Sequence, residues 1–388
     1  MLRCLGVNAL FAHACIALAL APIPEPPVPT ISSGLSSSNV FWRGQQASDS
    51  TVYPCIRIPS LLHTGSGALL AFAECRLSTG DGCFPDNITS SGRRDICSRR
   101  SDDAGATWGA LTIVVYNASQ NTPVFDAVRG TIVLNFNTAA GDNAQVTSTD
   151  DGLTWSAVQP LARFLGSLDG SSAGPGVGLQ LSAGNPHHPG RILFIGHHGA
   201  YVEDAVWFSD DGGATYALST TPAGHTLPAM DEAQLVELSN GDVLANMRNE
   251  VPQAGGGHFR AVAISTDGGD SFSAPSFDAA LPEPVCQATI MRAAPPLGDG
   301  SVYFANPGQA SGRANGRVRR SRSCAGLDCP WDNTTLVVAE GAAYAYSCLA
   351  PLNETHLGLL WETGAPGCSA ASTSCLQVFS TVPLSVFA

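Results

Sequence analysis

The chain predicts an all-β fold, a six-bladed β-propeller of four-stranded antiparallel blades. Three observations carry that expectation. A short motif recurs, the segments between its copies are short β-like runs, and no long amphipathic helix interrupts them. The motif reads "SDDAGATW" from Ser101, "STDDGLTW" from Ser148, "SDDGGATY" from Ser209 and "STDGGDSF" from Ser265, at steps of 47, 61 and 56 residues. Each copy is Ser-x-Asp-x-Gly-x-(Thr/Ser)-aromatic. A motif repeated every ~40–60 residues marks a repeat architecture.

The runs between copies include "TIVVY", "GTIVLNF", "RILFIGH", "DAVWFS", "AQLVEL", "DVLANM", "RAVAIS", "SVYFAN" and "LGLLWE", bounded by Gly, Asn, Asp and Pro. A lone four-stranded sheet cannot cover both of its faces, so the sheets pack radially. At about 60 residues per repeat, the roughly 360 residues beyond the N-terminal leader make about six blades. Each motif copy sits between two runs and does a turn's work. Its Asp accepts backbone N–H bonds, its Gly supplies unusual backbone angles, and its aromatic packs inward. Four copies spread around a ring cannot all be catalytic. Asp150 and Asp151 are therefore scaffold, although paired carboxylates otherwise suggest acid/base chemistry.

Of the 388 residues, 44% are hydrophobic and 13% charged, enough for a large core. All 19 basic residues are Arg. Schiff-base lysines and phosphate-loop lysines are thereby excluded. The net charge of −13 argues against nucleic acid and acidic membrane surfaces as partners. An anionic substrate can bind only where arginines cluster. Residues 1–21 carry one Arg, a short apolar run and small residues, which fits a signal peptide. An uncleaved anchor is the alternative, but Asn8 and His13 interrupt the run, which is short for a span. Residues 22–35 form a Pro/Ser-rich spacer and 36–388 the propeller. The expected location is outside the cell or in the lumen of the secretory and endolysosomal pathway, with no membrane insertion once the signal is removed.

Loss of Cys4 and Cys15 with the signal leaves ten cysteines, an even number that suggests disulfides. Near neighbours in sequence are Cys83/Cys97, Cys324/Cys329 and Cys368/Cys375. A CxxC metal pattern is absent, and no metal or cofactor is expected. The sequons at Asn87, Asn117, Asn333 and Asn353 are compatible with a secretory route. The pairs His187-His188 and His197-His198 are read as loop or surface residues, and "AGPGVGLQL" as a turn before a strand.

The repeats, with "CIRIPSLL" (Cys55 to Leu62) ahead of the first copy, resemble the sialidase (neuraminidase) family of Asp-box propellers over roughly residues 40–388. In that resemblance Arg57 is the Arg of Arg-Ile-Pro. Arg248 in "LANMRNE" and Arg313 in "NPGQASGRANGR" complete an arginine triad. Arg317, Arg319, Arg320 and Arg322 crowd the last stretch, and Arg313 rests on "RANG". A sialoside carries a carboxylate on the carbon that is attacked, so planar, permanently charged donors suit it. A neutral tyrosine nucleophile avoids repulsion by that carboxylate, and sialidases depart from the two-carboxylate rule. Tyr346 in "AAYAYSCLAPL" matches the nucleophile. Tyr344, two residues away, is read as core on the same strand face. Glu232 in "MDEAQLVEL" matches the glutamate that takes the tyrosine's proton, with Glu237 as rival. On a regular strand the odd spacing sends these two to opposite faces.

The resemblance implies an acid/base at Asp81, with Asp86 as competitor. Residues 82–94 resemble an insertion, with Cys83 and Cys97 available to close it. Glu362 in "LGLLWET" matches the glutamate orienting Arg57, and Arg76 and Glu74 resemble residues lining the sugar pocket. The implied protein is a monomeric retaining exo-α-sialidase acting on sialylated glycoconjugates. Alternatives are a trans-sialidase and a non-catalytic Asp-box propeller that binds glycans or proteins.

Overall fold

The computed structural model describes residues 21–29, 34–78, 83, 92–199, 202–249, 257–364 and 375–388. Blade I holds strands Cys55–His63, Leu69–Arg76, Arg94–Ser101 and Thr112–Val115. Blade II holds Ala118–Asp126, Thr131–Thr138, Asn143–Ser148 and Gln159–Pro160. Blade III holds Ser172–Ala173, Ile192–His198, Glu203–Ser209 and Ala217–Leu218, with Leu179–Gln180 and Thr226–Pro228 alongside. Blade IV runs Met230–Glu237, Val243–Asn249, Phe259–Ser265, Ser276–Pro282. Blade V runs Thr289–Arg292, Val302–Pro307, Ala314–Ser321, Thr335–Ala343. Blade VI takes Ser347–Asn353, His356–Thr363 and Leu376–Pro383 from the end of the chain, and Ser37–Trp42 from its beginning. That last pairing, with Ser38 opposite Phe379, closes the ring. The expected six antiparallel four-stranded blades are present.

The first strand of each blade faces the axis and has both faces covered. Cys55–His63 and Met230–Glu237 are accordingly buried almost throughout. The cores lie between blades rather than within them. Phe72, Leu70 and Val115 of blade I, for example, share one cluster with Leu134, Phe136 and Val146 of blade II.

Each Asp box closes the turn between the third and fourth strands. In the second copy, Ser148 Oγ donates to Asp150 Oδ1 at 2.8 Å and accepts from Gly152 N–H at 2.9 Å. Asp150 accepts from the Thr154 N–H at 2.9 Å and the Thr154 hydroxyl at 2.5 Å. The copies at Asp103, Asp211 and Asp267 repeat these bonds. Hydrogen bonds from Thr107 and Thr154 lower the Asp103 and Asp150 pKa values to about 2. The box glycines have φ of 88°, 81°, 91° and 92°, where a Cβ is strained. Three of them press on the preceding blade: a Cβ on Gly105 would meet Phe379 at 2.1 Å, on Gly152 Leu70 at 2.5 Å, and on Gly269 Leu193 at 2.2 Å. The box aromatics follow the same direction, Trp108 onto Phe379 and Trp155 onto Phe72, edge to face. The boxes are thus clasps between neighbouring blades.

Blade V has no box. A Cys324–Cys329 disulfide closes its corresponding turn. Trp331 then packs on Phe304, and its indole N–H donates to Asp278 of blade IV at 2.9 Å. That disulfide matches the expected pair. The Cys83/Cys97 pair does not form: Cys83 bonds Cys55, and Cys97 bonds Cys75 across two neighbouring strands, Cα to Cα 6.0 Å. Register places Cys97 opposite Ala73, beside Cys75 and on its face, so spatial rather than sequence proximity decides. Cys375 is disulfide-bonded, while Cys368 lies outside the described residues. His197 corrects a second expectation. It is a strand residue buried between blades III and IV, because both faces of that strand are covered. His188 is in a loop, bonded to Asp270 at 2.9 Å.

The expected spacer is partly tied down. Ile23 N–H bonds the Gly44 carbonyl at 2.8 Å, and Asn39 donates to the Pro26 carbonyl at 2.6 Å. Among the described residues no helix is long and apolar enough to cross a membrane.

Asp150→Ala should lower the melting temperature while leaving turnover per folded molecule within about two-fold. Gly269→Ala should be the more damaging change, costing about 1–3 kcal/mol in denaturant unfolding, because the new Cβ must displace Leu193.

Candidate active site at the propeller axis

Six of the eight site residues expected from sequence converge near the axis. Arg57 lies on the first strand of blade I, Glu232 and Arg248 on the first two strands of blade IV, and Glu362 on the second of blade VI. Arg313 immediately precedes the third strand of blade V, and Tyr346 the first strand of blade VI. Asp81 and its competitor Asp86 lie outside the described residues. Arg76, at the end of the second blade I strand, pairs with Glu74 at 2.7 Å. Glu74 also accepts the Gln120 N–H at 2.7 Å and has Arg94 3.6 Å away. Burial would raise its pKa, but Arg76, Arg94 and the Gln120 N–H hold it below the usual value.

Two local irregularities aim the central side chains. Strand register shifts between Arg57 and Ser60, with Ile58 at φ 64°. It shifts again between Asp231 and Ala233, with Glu232 itself at φ 35°. Such bulges redirect side chains that regular alternation would send elsewhere. Both Asp231 and Glu232 consequently reach Arg248. Glu232 Oε2 accepts from Arg248 Nη1 at 2.6 Å, and Asp231 Oδ2 lies 3.5 Å from Arg248 Nε. Behind them His197 Nδ1 lies 3.4 Å from Asp231 Oδ1. The rival Glu237 sits at the strand's far end, accepting from Ser182 and Asn185.

Tyr346 is the centre of the cluster. Its hydroxyl donates to Glu232 Oε1 in a short hydrogen bond, and Arg248 Nη1 lies 3.4 Å from that hydroxyl. The Arg57 and Arg313 guanidiniums stand over its ring, 4.9 and 5.4 Å from the centroid. Ile58, Cys286 and Ala345 pack around it. Tyr344 belongs to a different cluster, stacked on Trp361 at 5.3 Å. It does not share a strand face with Tyr346, because the strand begins only at Ser347.

Glu362 fixes Arg57 with two parallel bonds, Nη2 to Oε2 at 2.8 Å and Nε to Oε1 at 3.1 Å. Its Oε1 also accepts the Ile58 N–H at 2.9 Å. Both side chains are within 1% of complete burial, so this is a pair that neither partner can lose cheaply. Arg313 differs: among the described residues no carboxylate pairs with it, and Nη2 donates to the Val285 carbonyl at 3.3 Å.

The electrostatics oppose the two partners of the central bond. Burial and the Glu232 charge push the Tyr346 pKa well above its usual value, against the pull of three arginines. For Glu232, burial alone would raise the pKa, but Arg248, the Tyr346 hydroxyl and His197 hold it below the usual carboxylate value. At neutral pH the phenol keeps its proton and the carboxylate is ready to receive it. The neutral phenol beside three guanidiniums suits an anionic ligand whose carboxylate lies next to the reacting carbon. Strand alternation turns Asp231 away from its neighbour Glu232, so sequence patterning does not reveal it, and the His197-His198 pair reads as loop or surface residues. Among the described residues no cluster of His, Cys, Asp and Glu is arranged to hold a metal.

The BNR repeat-like domain family matches residues 87–352. The sialidase of Micromonospora viridifaciens is 34% identical over 355 residues, covering 80% of this chain, which spans 50% of that protein. A sialidase of Bacteroides fragilis is 28% identical over 352 residues, with 60% of its length covered. Among solved structures, the NanB sialidase from Streptococcus pneumoniae superposes with a TM-score of 0.71 at 18% identity, over 90% of this chain and 72% of that one. The leech intramolecular trans-sialidase gives 0.70 at 17%, over 91% and 71%. At such identities the structures speak for the fold alone. With the family model spanning most of the propeller, this chain belongs to the BNR repeat-like family as a sialidase-type propeller.

Proposed function

We propose that the chain is a retaining exo-α-sialidase that releases terminal sialic acid from sialylated glycoconjugates. The observation that carries this reading is the Tyr346 hydroxyl bonded to Glu232 inside a cluster of three arginines. Arg57, Arg248 and Arg313 hold the substrate carboxylate. Glu232 accepts the phenolic proton as the Tyr346 oxygen attacks the anomeric carbon. The bond to the leaving oxygen breaks as Asp81 protonates it. Water, deprotonated by Asp81, then displaces the tyrosine, whose oxygen recovers its proton from Glu232. Two inversions give retention. Glu362 orients Arg57, and Arg76 lines the pocket. The disulfides support a location outside the cell or in a secretory lumen.

Wild-type protein should release the fluorophore from an α-sialoside, and Glu232→Gln should lower kcat by roughly 10²–10⁴-fold, the share of a general base. Tyr346→Phe should lose at least as much, and a folded Tyr346→Phe with wild-type rates would sink the mechanism. Sialyl-lactose formed in the presence of lactose would mark transfer rather than hydrolysis.

Glu232 must be ionised to act, and its pKa is depressed. The acid limb of kcat/KM should therefore fall below pH 4.5, the ordinary value for Glu, with activity lost as pH drops through the lowered pKa. Glu362→Gln leaves Arg57 buried without its countercharge. It should cost about 3–5 kcal/mol in urea unfolding and raise KM.

A further inference from the structure

Three arginines serve the cluster, yet their supports differ. Arg57 has Glu362, and Arg248 has Asp231 and Glu232. Arg313 has a backbone carbonyl, that of Val285. What fixes that carbonyl is therefore what fixes Arg313.

Val285 lies in the crossover from blade IV to blade V at φ 59°. A β-branched residue there is strained and persists only where its surroundings over-determine it. They do so through a buried ion pair. Arg260 Nη1 and Glu283 Oε2 meet at 2.5 Å, both side chains fully buried. Glu283 Oε1 accepts the Cys286 N–H at 2.8 Å, and Arg260 Nη1 donates to the Cys286 carbonyl at 2.9 Å. The peptide groups just beyond Val285 are thus held from both sides. Arg260 is itself fixed by Nε donating to Asn246 Oδ1 at 2.8 Å, and Glu283 N–H by the His258 carbonyl at 2.8 Å. The next residue, Cys286, packs against Tyr346.

We propose that Arg260 and Glu283 are positioning residues for Arg313, acting through the strained Val285 turn. The pair does not touch the tyrosine hydroxyl, and it acts at one remove from the carboxylate that Arg313 would hold. It holds the Val285 carbonyl where Arg313 can rest one N–H on it and keep the others for the ligand. A buried pair of this kind is weak evidence for stability alone, since well-packed apolar residues often serve as well. Its bonds to the backbone of one strained turn beside the site are what assign it a role. The inference rests on the sialidase reading for the identity of the ligand.

The test is a double-mutant cycle read on carboxylate recognition. Glu283→Gln, Arg313→Ala and the double variant are compared for kcat and KM on an α-sialoside. Calorimetric affinities are measured for a 2,3-unsaturated sialic acid and for its methyl ester. Glu283→Gln should raise KM and weaken the acid roughly 5–20-fold, with kcat within two-fold, as expected for a misaimed binding group. In the Arg313→Ala background it should add nothing, and the ester should be unaffected. Additive losses, or equal losses for acid and ester, overturn the proposal. Asn246→Ala, which frees Arg260 Nε but leaves the Arg260–Glu283 charge pair in place, keeps the test open should Glu283→Gln fail to fold. KM should rise and the acid bind more weakly while the ester is unaffected, and unchanged values overturn the relay. The affinities need no turnover. A wild type that binds the acid without cleaving sialosides counts against the hydrolase reading, not against the relay.

Discussion

Everything at the axis depends on keeping Tyr346 neutral while surrounding it with charge. A phenol buried beside an ionised glutamate and three guanidiniums is stable only where each charge has a fixed countercharge or hydrogen-bond partner. The fold meets that demand with side chains from four different blades, none of which supplies a complete site. Precision at the centre is therefore a property of how blades are held against one another. The boxes, whose glycines and aromatics lean on the preceding blade, supply that hold at the rim. The central cluster and the clasps occupy different places, so the most conspicuous acids in the chain lie away from the tyrosine.

The fold was legible because its signal is repeated. Four copies of one turn and a series of short apolar runs leave little besides a propeller, and the candidate residues Arg57, Glu232, Arg248, Arg313, Tyr346 and Glu362 could be named from stretches that resemble the sialidase family's motifs. What local motifs could not show is direction. Strand alternation separates Asp231 from Glu232, whereas a bulge at Glu232 turns both toward Arg248. Alternation likewise joins Tyr344 to Tyr346, whereas the strand starts after both. Blade V hid its clasp because a disulfide and Trp331 replace the box. The Cys75 partner of Cys97 follows from strand register, which sequence spacing does not encode. The support of Arg313 by a backbone carbonyl leaves no side-chain pattern at all.

The two best-anchored arginines show different solutions to one problem. Arg57 is gripped by a carboxylate on another blade, and Arg248 by carboxylates on its own. The first solution ties the site to ring closure and the second to a single hairpin. Damage to the seam of blade VI should thus be felt first at Arg57 and Tyr346, while the Glu232–Arg248 hairpin keeps its local bonds.

The seam has a consequence in time. Glu362 lies 305 residues beyond Arg57, and blade VI lacks a strand until the Leu376–Pro383 segment meets Ser37–Trp42. During synthesis the nascent chain can build blades I to V in order, yet the tyrosine and its arginines come together only after the strands of blade VI have emerged. Contacts of such span are slow to form. The ring therefore assembles its centre late: a nascent chain that has built only blades I to V carries most of the propeller but lacks Tyr346 and Glu362.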